Sequence, residues 1–443
     1  MKILQVLSSY LPEDSAGTQL HVRDLCAGLR KLGHETEVFA GLSGKDFEEF
    51  ELSRSEWEGV PVTRVTNNYR DVDRFELLYA SPRIDARFGA FLDEAKPDLV
   101  HVHHLTGLAT SILELVSERG LPLVMTLHDY WLLCPRGQRL HPDTQEICET
   151  LDRSRCVPCL SKLWPLYLPY DRPRNRREAR RSHDRMFLRG GAIHSLTRWE
   201  THVRRVVALC DVVIAPSAFH RDRFVEWGLD PGRCFVVPHG LPRDELQGEP
   251  RGARPVENIG FIGTVIPSKG VHTLVEAFAL LHRDDLVLHI HGNEPIFHGD
   301  TDYGTRLRAG VRAGLDVRFH GAYEHRDLPA ILACLDLLVV PALWWETFCL
   351  TVREGVLAGL PVVASRLGGI TEAVDQGMAL GFEAGNAKDL ARVLRQLLED
   401  DALRDRMSRR ADLVRDMSSC VEETEKLYQV ALEHGAWQAS SEV

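Results

Sequence analysis

Short apolar runs alternate with amphipathic stretches along most of the chain. Lys2–Ser8, Glu35–Ala40, Pro61–Val65, Asp98–His103, Leu121–His128, Val212–Pro216 and Cys234–Pro238 have the length and β-branched content of buried strands. Between several of them the apolar positions move to helical spacing, as in His21–Leu32, which closes on the C-cap signal Gly33. A second series follows: Asn258–Gly263, Leu286–His291, Val317–Gly321, Leu337–Pro341 and Pro361–Ser365. Buried strands alternating with amphipathic helices predict parallel α/β sheets. Two series predict two Rossmann-like domains, with the joint in the Pro-, Gly- and charge-rich stretch Leu241–Pro255. Residues 1–245 and 246–415 are read as those domains, and 416–443 as a terminal helix.

The length of 443 residues has room for both cores, and 44% apolar with 26% charged residues is a globular balance. No apolar run reaches the ~20 residues that would span a bilayer. Met1–Leu7 reads as a strand running into a loop, not as a signal peptide, so a cytoplasmic location is expected. A net charge of −11 argues against nucleic acid as a partner. Six of the ten cysteines (Cys26, Cys210, Cys234, Cys334, Cys349 and Cys420) are scattered and read as reduced, small apolar residues.

The densest chemistry lies in Asp336–Ala373. There, strand Leu337–Pro341 leads to a helix expected from about Thr347, which stops at Gly359 because Pro361 cannot continue it. Glu346 and Glu354 stand eight positions apart, or roughly 12 Å along a helix. The amides of Phe348, Cys349 and Leu350, at the positive helix end, offer an anion site between them. Two carboxylates flanking a phosphate site suit a nucleotide sugar, with Glu346 on sugar hydroxyls and Glu354 on the ribose. The plainer alternative makes Glu346 an acid favoured by the helix dipole and Glu354 a solvated helix residue.

Four other segments lie at the strand ends where open α/β sheets place ligands. Ser8–Thr18 carries Gly17-Thr18, where a glycine lets the backbone approach a phosphate or sugar. His101, His103 and His104 close one strand and read as structural or supporting groups. His128 closes another, as an active-site group or a polar lid residue. Gly260–Gly270 joins a strand to a helix and holds Lys269, one of eight lysines. Its ammonium could neutralise a leaving diphosphate, or could be an ordinary solvated loop charge.

Glu346-x7-Glu354, followed by Gly-Leu-Pro-Val-Val-Ala and Gly368-Gly369, resembles the signature of retaining glycosyltransferase family 4, the bacterial-type glycosyl transferase group 1. The likeness extends from the first strand to the last helix. It implies a GT-B fold of two facing Rossmann-like domains with parallel sheets, with the C-terminal helix crossing back to the first. It also implies a nucleoside-diphosphate-sugar donor held by Gly17, Thr18, Gly263, Thr264, Lys269, Glu346, Thr347, Phe348, Cys349, Leu350 and Glu354. His128, Lys269 and Glu346 become the catalytic group, with His128 meeting the transferred sugar. The acceptor, a glycan or a lipid-linked glycan, falls to the first domain. Transfer retains the anomeric configuration and needs no cofactor, in a role such as cell-surface polysaccharide or glycolipid synthesis. Two positions depart from the family pattern: Thr18 replaces a second glycine, and Thr264 an arginine five places before Lys269.

Two segments stand outside this pattern, in an insertion over about 130–205. Cys134-x13-Cys148-x7-Cys156-x2-Cys159 could supply four thiolates to a structural zinc; an iron–sulfur cluster, a disulfide pair or simple burial are the other readings. Leu163–Tyr170 is apolar and aromatic, and Asp171–Arg205 holds eleven arginines against four acids. That pairing suits an anionic membrane surface on the inner face of the cell membrane or a lipid-phosphate acceptor, against the alternative of a solvated arginine-rich helix. Three rivals to transfer remain at this level: a nucleotide-sugar epimerase of the same architecture, a glucan phosphorylase with a pyridoxal-phosphate lysine, and a non-catalytic, zinc-stapled assembly protein.

Overall fold

The structure, a computed structural model, describes residues 1–44, 46–163, 192–297 and 300–441. Trp164–Tyr170 and Arg176, Arg177, Arg180 and Arg181, on which the membrane reading rests, lie outside the described residues. The chain divides into two compact units, one of residues 1–137, 149–237 and 418–443 and the other of 138–148 and 238–417.

The first unit is built on an eight-stranded sheet of β1 (Lys2–Leu7), β2 (Glu35–Leu42), β3 (Leu52–Trp57), β4 (Val60–Thr66), β5 (Leu99–Val102), β6 (Leu123–Thr126), β7 (Val212–Ala215) and β8 (Cys234–Val236). The strand order is β3-β4-β2-β1-β5-β6-β7-β8. Only the β3–β4 pair is antiparallel. Helix Gly17–Lys31 returns over the sheet with Val22, Leu25, Cys26 and Leu29 buried, the spacing of one helical face. The last helix, Met417–Ser441, joins this unit from Ser418 onward. Its Val421 lies where any side chain on Gly28 would collide, at 2.4 Å, and its Tyr428 is fully buried.

The second unit carries β9 (Asn258–Ile262), β10 (Val287–His291), β11 (Asp316–Gly321), β12 (Leu337–Val340), β13 (Val362–Ser365) and β14 (Leu380–Phe382). Their order is β11-β10-β9-β12-β13-β14, all parallel. Helices Val271–Ala279 and Ala387–Glu399 pack over it through Leu274, Phe278, Leu390 and Leu394. Every strand expected from the apolar runs is present within a residue or two. The two strands without such a signal are β3, a largely exposed edge, and β14, three residues long. Among the described residues, no helix is long and apolar enough to cross a membrane.

Candidate active site

In each sheet the strand order reverses at one place, and an open α/β sheet leaves a crevice at the carboxyl ends of the strands there. In the first unit that place is between β1 and β5, and in the second between β9 and β12. The residues predicted for donor and sugar lie at or near these two points, and the four cysteines do not.

In the second unit the loop after β9 and the loop after β12 are fastened together. Leu343 N donates to Ser268 O at 2.8 Å, and Gly270 has φ +70° with so little space that a Cβ would stand 1.9 Å from Pro341 O. This approach brings Lys269 Nζ to 2.5 Å from Glu346 Oε1, which also accepts from Trp344 Nε1 at 2.7 Å. Burial works against the ammonium, but the Glu346 carboxylate and the Cys349 thiol outweigh it and raise the Lys269 pKa. Lys269 is therefore one half of an ion pair, not a solvated loop charge. Gly368-Gly369 closes over the same loop, with Gly369 N donating to Glu346 O at 2.7 Å; a Cβ on Gly369 would meet Thr347 O at 2.3 Å.

The helix after Glu346 begins later than its sequence pattern suggested. It spans Leu350–Leu357, with Cys349 as N-cap in the left-handed region at φ 65°. Thr347, Phe348 and Cys349 form a turn ahead of it, so the helix-end amides begin at Leu350 and those of Phe348 and Cys349 belong to the turn. The sequence reading also missed what holds that turn. Arg353 is buried; its guanidinium lies 3.5 Å from the Phe348 ring centroid and donates to Phe348 O and, at 3.2 Å, to Cys349 O. Its only sequence signal was an arginine on the buried side of an apolar helix. Arg353 borders a cavity of about 290 Å³ whose wall also includes His239, Phe348, Glu372 and Arg415.

Glu354 is 8% exposed, which excludes the solvated-helix alternative. Burial pushes its carboxyl up to about 7, and burial, followed by the Glu354 charge, raises the phenol of Tyr323. Gly263, at φ +141°, donates its N–H to His291 O at 3.0 Å, and Thr264 follows it at the end of β9.

In the first unit the switch point is lined by imidazoles. Gly17 opens its helix with no side-chain cap, and Thr18 follows; the loop before it is held by Asp14, which accepts from Ser9 Oγ at 2.8 Å and Gln19 Nε2 at 3.2 Å. His103, at the end of β5, meets Gln5 Oε1 through Nε2 at 2.7 Å and His128 Nε2 through Nδ1 at 3.0 Å. An amide oxygen only accepts, so His103 carries a proton on Nε2, and in its neutral form the bare Nδ1 accepts from His128 Nε2–H. His128 Nδ1 is then the unprotonated nitrogen. Burial, then the neighbouring imidazoles, holds the His128 pKa well below that of free histidine. His101 bonds Thr126 Oγ1 and Tyr428 OH, each at 2.7 Å, and burial holds it neutral, its pKa lowered to about 3. A small cavity of about 20 Å³ touches His103, His104, His128, Asp129 and Trp131.

Cys134, Cys156 and Cys159 belong to the first unit and Cys148 to the second. Among the described residues, no group of three or more ligand atoms within 4.8 Å includes any of the four. The zinc reading therefore rests on their spacing alone.

Residues 15–245 match the family model described as Glycosyltransferase Family 4, and residues 256–400 the one described as Glycosyl transferases group 1. An MMP alpha-(1->4)-mannosyltransferase of Mycolicibacterium hassiacum is 26% identical over 96% of this chain and 98% of its own. A glycogen synthase of Mycobacterium tuberculosis is 24% identical over 93% and 89%. Among solved structures, sucrose-phosphate synthase from Thermosynechococcus elongatus superposes with a TM-score of 0.66 at 16% identity, covering 97% of this chain and 98% of that one. An Anabaena protein solved in complex with UDP-glucose gives 0.62 at 20% identity, covering 97% and 100%. These structures share the fold, two Rossmann-like parallel-sheet domains of the GT-B class.

Proposed function

The chain belongs to glycosyltransferase family 4, and on that premise we propose that it moves a sugar from a nucleoside-diphosphate donor to a glycan or lipid-linked acceptor, with retention and without a metal ion in the chemical step. Synthesis of a cell-surface polysaccharide or glycolipid is the role this reading assigns. The observation that carries it is the Lys269–Glu346 pair at the β9/β12 switch point.

The chemical problem is the departure of an anionic diphosphate while positive charge grows on the sugar ring. Lys269 gives one of its three N–H groups to Glu346, leaving the others for the diphosphate. Trp344 and Lys269 both take Glu346 Oε1, which keeps Oε2 for a sugar hydroxyl. Leu350, at the helix start, adds an amide for phosphate oxygens, and Glu354 takes the ribose. His128, neutral and oriented by His103, is assigned to the transferred sugar. The bond from the anomeric carbon to the phosphate oxygen breaks as the acceptor oxygen bonds on the same face. The acceptor proton passes to the leaving phosphate, so no carboxylate nucleophile is needed. The Anabaena protein with UDP-glucose and the two curated transferases support this reading over an epimerase.

A thermal-shift panel of nucleoside diphosphates and their sugars tests it. At least one diphosphate is expected to raise the melting temperature of the wild type, and to fail with Lys269→Ala. If no nucleoside diphosphate binds the wild type, the reading fails. Donor turnover to an isomer without any acceptor would favour the epimerase.

A further inference from the structure

The uncovered part of the second sheet carries a cluster that sugar transfer does not use. β9, β12 and β13 are almost wholly buried, but β10 alternates half-buried with buried positions and β11 exposed with half-buried ones. On the open face stand His289 and His291 of β10 and His320 of β11. Two residues apart on one strand, side chains share a face, and a third from the adjacent strand completes a triangle. A shift of register between Ile290 and His291 pairs His291 with Gly321 rather than with a side chain. His320 occupies the space beside that glycine, its ring centroid 4.1 Å from that of His291 and 5.2 Å from that of His289.

We propose that His289, His291 and His320 bind a divalent cation of the zinc or nickel type, separate from the sugar-transfer chemistry. Each offers a ring nitrogen, and these lie within 4.8 Å of one another. Three imidazoles are a ligand set that such cations take, with a fourth position left to water.

One ligand is already aimed. Asp336 Oδ2 accepts from Asn258 N at 2.9 Å and from Asn258 Nδ2 at 3.2 Å, which turns the amide oxygen of Asn258 outward. That oxygen stands 3.0 Å from His289 Nε2, so the proton of His289 sits on Nε2. The bare Nδ1 then points into the cluster, 3.0 Å from His320 Nε2. A carboxylate, an amide and an imidazole in series is how a protein presets a metal-binding histidine. A cation takes the place of the single proton now shared between His289 and His320. His320 can carry that proton on Nδ1 instead, so binding needs neither redox chemistry nor net proton loss.

The test is a titration of tag-free full-length protein with Co(II), read by visible absorption, then displacement by Zn(II) against a chromophoric chelator. The wild type is expected to bind one equivalent with a d–d band of tetrahedral intensity. His320→Gln and His291→Gln should each weaken it at least ~10-fold, because each removes one of three ligands. Asn258→Leu should weaken it less, and should have no further effect in a His289→Gln background, which identifies Asn258 as a positioning residue. Unchanged far-ultraviolet dichroism in His320→Gln, an exposed site, separates lost binding from lost fold. Equal affinity and stoichiometry in the wild type and in His291→Gln combined with His320→Gln would overturn the proposal. So would a cobalt spectrum made up only of thiolate charge-transfer bands, which would put the ion on cysteines.

Discussion

The two switch points solve opposite electrostatic problems. In the second unit a lysine and a glutamate are pressed to 2.5 Å, with a buried arginine bracing the next turn. In the first unit the same topological position is filled by imidazoles, of which burial holds His101 and His128 neutral, with hydrogen bonds running from Gln5 through His103 to His128. A diphosphate needs charge to leave; a ring acquiring positive charge is best met by groups that bring none of the same sign. The comparison teaches that fixed charge is concentrated in the unit proposed to hold the leaving group, and oriented neutral dipoles in the one proposed to meet sugar and acceptor.

The sharpest way to break the contrast is to remove the charge. Lys269→Ala should lower kcat by ~10²–10³, the range for one preorganised electrostatic partner, and weaken nucleoside-diphosphate binding. Glu346→Gln should lower kcat as well but keep diphosphate affinity within about threefold, because its proposed partner is the sugar. Calorimetric titration alongside initial rates decides. If Lys269→Ala transfers sugar at the wild-type rate, the charged half of the comparison is wrong.

A smaller loss is expected from the neutral half. Gln5→Leu leaves His103 Nε2–H without its acceptor and frees His128 to change tautomer. Transfer should slow about tenfold, less than the ~10²–10⁴ lost with a group that itself transfers a proton, with diphosphate affinity unchanged. A matching fall in diphosphate affinity would show that the two units do not divide the work as proposed.

The smallest effect is a difference in pH response. His21, His101 and His220, in the first unit, have pKa values lowered by burial to about 4, 3 and 4. The unfolded chain binds protons at these groups more tightly, so the stability they contribute is complete above 6.5 and is lost as pH falls below it. Glu354 has the reverse sign: its raised pKa, about 7, makes folding less favourable as pH rises from 4.5 through 7. Melting curves at pH 5, 6.5 and 8 should show a wild type weakened at pH 5, and a Glu354→Gln variant whose gain over wild type is larger at pH 8 than at pH 5. An equal gain at both pH values would mean that Glu354 is not held as a buried acid.

Much of this molecule could be read from one dimension. Buried parallel strands write continuous apolar runs, so twelve of the strands, the two-unit division and the βα loops with Gly17, Lys269 and Glu346 followed from local pattern. The resemblance of Glu346-x7-Glu354 gave the family. What one dimension lacks is strand order. Which loops become neighbours depends on where each sheet reverses, and that is set by tertiary packing. Only there do Lys269 and Glu346, 77 residues apart, become an ion pair. Burial is likewise a property of the assembled unit. The sequence left Glu354 between a solvated and a functional residue, and packing around its helix turned it into an acid with a pKa near 7. The sequence took His101, His103 and His104 as structural and His128 as an active-site or lid group without pairing any of them, because the spacing along one strand says nothing of the next. Sheet register brings His103 to His128 and His320 to His289, over gaps of 25 and 31 residues, because cross-strand neighbours are chosen by hydrogen-bonded pairing rather than by chain distance.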